Sequence, residues 1–380
     1  MSEHVLSIPV QLPQYSPITA AAERPLHTPV VGWVSPLPAW VHGNEEILGP
    51  VESVGWGDLK KDPPEVVHVG ADGLSKLSWL RRAAPQARIV LDLSGASTTY
   101  LGRRGAAQAA FADLILAGTL FDLRELRRRY PRLAQRTALF RQPFDLSEWG
   151  PGADLFAEAG RGLRRFRKLH RLVSPTVLYA GPFTPEGGLD LAIAAIHIAR
   201  QSLPEARLAA IPIGTVSQRY LDRCERAALS LGHHGVFQWQ TPAADELPAW
   251  FAVADVVCLP CRDAVPPSPV WLAGAAAKPV VVGDAPQLLE HVVDDCTGYL
   301  VPTGNVPTLA AALVALLGDG SEATRLGAAG RQKVEQERSP ETAARELREF
   351  WTTTATRHSS LPPSTTARTW PALTETKAGH

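Results

Sequence analysis

The chain has 380 residues, 45% hydrophobic and 20% charged, and its 38 basic and 38 acidic side chains cancel. That length is enough for two ordinary domains with full cores, and the balanced charge supplies no global field to draw in nucleic acid or an anionic membrane. No apolar run reaches spanning length and the first residues lack a signal-peptide pattern, so a cytoplasmic protein with no nucleic-acid partner and no transmembrane segment is expected.

Residues 1–28 carry scattered Pro, Ser and Gln without a period, which reads as a disordered arm. From Pro29 the pattern becomes strand, loop and helix: Val30 to Val34, then Ser35-Pro36-Leu37-Pro38 and Gly43, then Asn44 to Leu48 with acids in its first turn. Val66 to Val69 and Ile89 to Leu91 are two more buried-strand runs, separated by a helix from Leu74 to Ala84. Asp92, Ser94 and Gly95 follow the second of these at a strand's carboxyl end. There Asp92 is either a ligand-facing carboxylate or, with Ser94, a cap for the next helix. Ala112 to Ala117 gives a further strand and Leu120 to Tyr130 a basic helix, and this half closes near Trp149.

Residues 150–174 form a basic linker containing Arg164 and Arg165, read either as a solvated helix or as a surface facing an anion. A second α/β half starts at Pro175, with strands at Thr176 to Ala180, Ala206 to Ile213, Gly235 to Trp239, Val256 to Leu259 and Pro279 to Val282. Helices are expected from Leu189 to Arg200, Tyr220 to Leu231 and Val270 to Ala277, then, after Val282 and a turn, a separate helix through Glu290 and a last short strand ending near Pro302, followed by helices from Asn305 to Leu317 and Ala323 to Glu337. In a doubly wound sheet the loops leaving the strands' carboxyl ends line the ligand crevice, which points to Cys261 to Pro269 and Gly283 to Gln287. Ser, Thr and Pro dominate from Thr352 to His380, which reads as a disordered tail. Four cysteines are too few for a disulfide framework, and Cys258-x-x-Cys261 lacks a second ligand pair, so no metal is expected.

Leu259-Pro260, Lys278-Pro279-Val280-Val281, Glu290-His291-Val292 and Thr297-Gly298-Tyr299-Leu300-Val301-Pro302 together resemble the donor half of the family 4 glycosyltransferases. These are retaining GT-B enzymes that use nucleotide-sugars. Gly181-Pro182-Phe183-Thr184-Pro185-Glu186-Gly187-Gly188-Leu189-Asp190 resembles the family's Gly-Arg-Leu-x-x-x-Lys-Gly-x-Asp loop, and Gln142 to Trp149 its interdomain segment. The resemblance implies two Rossmann-like doubly wound parallel-sheet domains facing a cleft, an acceptor-side domain over 29–149 and a donor-side domain over 175–338. It also implies a helix over 339–351 that crosses back to the first domain.

The same resemblance places Gly181, Gly188, Gly214 and Glu290 on the donor nucleotide and Gly43 in the acceptor-side loop, with Asp92 as a candidate catalytic carboxylate; Thr184 and Arg262 on the donor side and Asp263 as a second candidate catalytic carboxylate are the substitutes this chain offers for missing family contacts. Pro182 and Gly187 stand where the family has its phosphate-binding Arg and Lys, and Ala264 and Leu272 where it has paired glutamates. Two functions follow. One is transfer of a sugar from a nucleotide-sugar co-substrate to a glycan or small-molecule acceptor through a non-standard donor site, with no metal. The other is a catalytically inactive binding or scaffold subunit for another glycosyltransferase.

Overall fold

The computed structural model describes residues 28–34, 37–95, 101–144, 146, 149, 159–172, 175–263 and 265–356. The expected arm over 1–27 and the tail from 357 lie outside them, as does Ala264.

Short runs of Val, Ile, Leu and Ala form two sheets whose inner strands are covered on both faces, the condition under which parallel strands are stable. The first sheet contains β1 (Val31–Trp33), β2 (Val51–Ser53), β3 (Val66–Gly70), β4 (Arg88–Leu93), β5 (Leu114–Ala117) and β6 (Thr137–Leu139). The second contains β7 (Thr176–Phe183), β8 (Arg207–Val216), β9 (Phe237–Trp239), β10 (Val256–Leu259), β11 (Val280–Gly283) and β12 (Gly298–Val301). Both are six-stranded, in the orders β2-β1-β3-β4-β5-β6 and β12-β11-β10-β7-β8-β9, and every pairing is parallel. This is the two-sheet GT-B architecture. The strand order of the second sheet reverses between β7 and β10, which makes their carboxyl ends a topological switch point.

Helix starts follow local capping chemistry. Thr119 accepts from Asp122 N at 2.9 Å and opens the helix Leu120–Arg129, while Asp319 accepts from Ser321 N and Glu322 N at 2.9 and 3.1 Å and opens Gly320–Glu337. The last helix, Pro340–Thr356, returns to the first sheet, where Ala343, Ala344, Leu347 and Trp351 pack among Val31, Trp33, Val66, Val90 and Leu116. Two hydrogen bonds mark the crossing: Phe144 N donates to Arg338 O, and Arg338 Nη1 to Gln142 O, each at 2.9 Å.

Several expected boundaries move. β7 runs on through Gly181 and Pro182 to Phe183, and β8 through Gly214 to Val216, with a register shift between Gly181 and Phe183. Pro182 falls at that irregularity, where its missing N–H costs no ladder bond. The helix expected through Glu290 is instead a chain of turns held by Leu288 N to Ala285 O and His291 N to Leu288 O, each 2.9 Å. The last helix continues past Trp351 because Thr352 and Thr354, read as tail, are buried. Within the linker, helix Ala159–Leu169 docks on helix Leu247–Val253: Arg167 Nη2 donates to Val253 O at 2.8 Å, and Phe166 meets Trp250 edge-on at 5.5 Å. Arg164 and Arg165 on that helix are exposed.

Candidate active site

At the β7/β10 switch point the turn Thr184 to Gly188 leads into helix Leu189–Ala199. Gly188 has φ 77° and a Cβ there would lie 2.4 Å from Pro260 O, so only glycine lets this turn approach the loop leaving β10. Gly181 is pressed in the same way against Leu259, whose Cδ1 would be 2.6 Å from a Cβ. At Gly187 a Cβ would meet Pro182 O at 2.2 Å and the Tyr179 hydroxyl at 2.5 Å. That hydroxyl, fully buried, donates to Pro182 O at 2.7 Å. The space at Gly187 is therefore filled by Tyr179 and backbone. Gly214, at φ 102° inside β8, has only Pro182 Cβ nearby, at 3.7 Å.

Arg262 lies against this turn in space, and it is already engaged. Its Nη1 and Nη2 donate to Asp190 Oδ1 and Oδ2 at 2.8 and 2.7 Å, Nη1 also reaches Pro185 O at 2.8 Å, and its backbone N donates to Glu186 O at 2.7 Å. The side chain clamps the turn onto the β10 loop. Burial raises the Asp190 carboxyl, but the bonds from Arg262 and from the Tyr220 hydroxyl, the latter 2.5 Å, outweigh it and hold the group below the ordinary carboxylate value. Asp263 is exposed beside it, and its carbonyl accepts from Gln287 Nε2 at 2.9 Å, which ties the loop leaving β10 to the one leaving β11. Leu272 packs on the second-half core as a partly buried residue.

Cys258 and Cys261 are buried, and burial pushes the Cys261 thiol up to about 12 and that of Cys258 higher still. Both are inert at neutral pH. Among the described residues no cluster of three or more His, Cys, Asp or Glu could hold a metal.

In the first half, Asp92 ends β4 with both oxygens in use. Oδ2 meets His68 Nε2 at 3.4 Å, and Oδ1 accepts from Ser94 N at 2.8 Å and Ser94 Oγ at 2.5 Å. Asp92 thus caps its own turn, and the next helix among the described residues starts at Gly102. Trp351 Nε1 donates to His68 Nδ1 at 3.2 Å, so the His68 proton resides on Nε2 and faces Asp92. The His68 ring stacks on Trp33 with centroids 3.9 Å apart. Burial raises the Asp92 carboxyl; the bonds from His68 and Ser94 overcome this and lower it. Gly43 has φ −78° and open space around it, so nothing in its backbone requires glycine.

Glu290 joins the halves. Its Oε2 accepts from Leu120 N at 2.9 Å, capping the first-half helix from the second half, and burial raises its pKa against the pull of that N–H. A Cβ at the adjoining Gly118 would lie 2.1 Å from Ser94 O, so the Asp92 turn, the start of helix Leu120–Arg129 and Glu290 are close neighbours. Sequence reasoning missed His68 and Trp351. The signal available was a histidine inside the apolar run Val66-Val67-His68-Val69, which has no reason to be there unless something pairs with it.

The family model for glycosyl transferases group 1 matches residues 162–333, a little under half the chain. A GDP-mannose-dependent alpha-(1-6)-phosphatidylinositol monomannoside mannosyltransferase of Mycolicibacterium smegmatis is 34% identical over 192 residues, 48% of this chain and 49% of that protein. The protein of the same description from Mycobacterium tuberculosis is 32% identical over 211 residues, 53% of this chain and 54% of its own. The chain thus spans about half the length of the curated relatives it matches. Among solved structures, HepE of Anabaena in complex with UDP superposes with a TM-score of 0.64 at 16% identity, covering 84% of this chain and 98% of that one. A glycosyltransferase of Rickettsia africae gives 0.65 at 14% identity over 87% and 99%.

Proposed function

Starting from the group 1 glycosyl transferase match over residues 162–333 and the GT-B fold around it, we propose that the protein is a retaining glycosyltransferase taking its donor from a nucleotide-sugar. The observation that carries this reading is the glycine-built turn Thr184 to Gly188. It opens a helix at the switch point of the second sheet, where backbone N–H groups and the helix N-terminus suit a diphosphate. The donor-side residues are Gly181, Thr184, Gly188 and Gly214, with Arg262 fixing the turn's shape. Asp263 is the carboxylate offered to the reacting sugar, and Asp92 acts by positioning Ser94 and Gly95. The printed names of the mycobacterial relatives make GDP-mannose the first donor to test, with a glycan or lipid-linked polyol as acceptor.

A second reading, a nucleotide-sugar-binding subunit with little turnover of its own, is favoured by Arg262 being committed to Asp190 and by the filled space at Gly187. Preorganised charge on the leaving diphosphate is usually the largest catalytic contribution, and two cations of the family pattern are replaced here. The test is multiple-turnover transfer by the purified chain over a panel of GDP- and UDP-sugars, with binding measured in parallel. Turnover abolished by Asp263→Ala supports the enzyme. Saturable binding without turnover supports the second reading, and absence of both sinks the nucleotide-sugar assignment.

A further inference from the structure

Away from the switch-point crevice, the described residues line a second, small cavity that is partly open to solvent. It lies between helices Ser268–Ala275 and Gly320–Glu337, whose backbones come so close that a Cβ at Gly274 would be 2.9 Å from Gly330 O. Trp271, Lys278, His291, Lys333 and Arg338 line it, and it shares no lining residue with the smaller cavity at the ends of β11 and β12.

The walls are rich in donors and poor in acceptors. Arg338 is 2% exposed and stacks on Trp271 with its guanidinium carbon 3.2 Å from the ring centroid; Nη1 serves Gln142 O, but Nη2 is buried with no hydrogen-bond partner. His291 is 4% exposed and accepts from Trp271 Nε1 through Nδ1 at 3.1 Å, which leaves its proton on Nε2. That Nε2 is likewise buried and unpaired, with Glu290 Oε1 at 3.7 Å, beyond hydrogen-bond reach. The one carboxylate among the lining residues, Glu337, is paired with Lys333. Burial drives the Arg338 pKa down to about 9, with Arg141 adding repulsion, and it lowers that of Lys278 as well. Two orphaned donors in one cavity each cost roughly 1–3 kcal/mol of desolvation unless something accepts from them.

We propose that this cavity binds a small tetrahedral oxyanion, phosphate or a phosphate monoester, through Arg338 Nη2 and His291 Nε2. A donor-only wall selects an acceptor-only ligand, and a guanidinium beside an imidazole N–H suits phosphate oxygens. Arg338 is also where the chain crosses between the halves, so an occupied site stiffens that crossing.

The test titrates inorganic phosphate into the full chain at ionic strength held constant with potassium chloride, following heat of binding and thermal unfolding. A saturable response to phosphate is expected, absent with chloride and weakened at least tenfold by His291→Phe and by Arg338→Gln. The histidine variant leaves the Arg338 hydrogen bond to Gln142 intact, so it keeps the result interpretable if the arginine variant folds poorly. Glycerol phosphate serves as the monoester arm: tighter binding than inorganic phosphate assigns the site to a substrate phosphate, weaker binding to the free ion. A response that tracks ionic strength alone, one that both variants leave unchanged, or displacement of phosphate by UDP, which would place the ion in the crevice, overturns the proposal. None of these outcomes depends on whether the chain transfers a sugar.

Discussion

Arg262 and Asp190 meet as a planar fork on a carboxylate, about a third exposed on each side, with a third bond to Pro185 O. Exposure discounts the pair, but its bidentate geometry and its link between two loops keep it above an ordinary surface bridge. Arg262→Ala is therefore expected to cost roughly 1–2 kcal/mol, a melting-point drop of about 2–8 °C for a domain of this size, measured by thermal denaturation. Arg262→Lys should recover only part of it, because an ammonium cannot span both oxygens; full recovery would show that charge alone matters. Asp92 supplies a pH-dependent counterpart. Its pKa is lowered in the fold, so the stability it contributes is present above the usual 3.8 and is lost as the pH falls below that value. Asp92→Asn should cost about 1.5–3 kcal/mol at neutral pH and flatten the acid limb of a stability–pH curve; an unchanged acid limb would refute the assignment. The motif at Gly181 to Asp190 was legible as a glycine-built turn between a strand and a helix, but the partner of Arg262 was not. Sequence shows which residues occupy a loop, whereas choosing between a ligand and Asp190 as that partner needs the distance between two loops.

At the scale of the element, strand positions were readable because buried parallel strands are unbroken apolar runs such as Val256 to Leu259 and Val280 to Val282. Their ends were not. β7 continues through Pro182 because a register shift absorbs the missing N–H, a pairing that no single-strand pattern records. The segment after β11 fails to become a helix although Leu288, Leu289 and Val292 suggest one, since it is held by single turns that present Glu290 to the other half. The last helix outruns its apolar stripe because Thr352 and Thr354 are covered by the first half, and composition alone reads such threonines as tail. This helix completes the first half by burying Trp351 against Trp33 and His68, with centroids 6.2 and 5.8 Å apart. Trp351→Phe keeps most of the volume and removes the N–H that fixes the His68 tautomer. It is expected to cost about 1–3 kcal/mol in urea unfolding, against 3–5 for Trp351→Ala. Equal losses for the two would mean that packing alone matters and that the His68 proton is fixed by something else.

For the whole molecule, the question is what holds two separately wound sheets in one arrangement. Covalent crossings near Gln142 and Arg338 form a joint on one side, and Glu290 reaches over from the second half to cap the helix Leu120–Arg129 of the first. A carboxylate at a helix N-terminus gains from the unpaired N–H groups and the helix dipole, and here that gain is spent across the cleft. Burial nevertheless raises the Glu290 pKa, so its ionised form is less favourable in the fold than in the unfolded chain. The sign follows: the stability it contributes is full below the usual 4.5 and declines as the pH rises through its raised value. Glu290→Gln retains an acceptor for Leu120 N and has nothing to ionise, so its stability should lose this decline while changing little in acid. Glu290→Ala removes the acceptor altogether and should cost about 0.5–2 kcal/mol, the range for a lost helix cap, at every pH. It should also loosen the two halves, increasing the radius of gyration in X-ray scattering and speeding hydrogen exchange at Leu120 and Phe121. Unaltered exchange there in the alanine variant would show that the joint near Arg338 holds the halves without this cap, and that Glu290 is free to meet a ligand in the cleft.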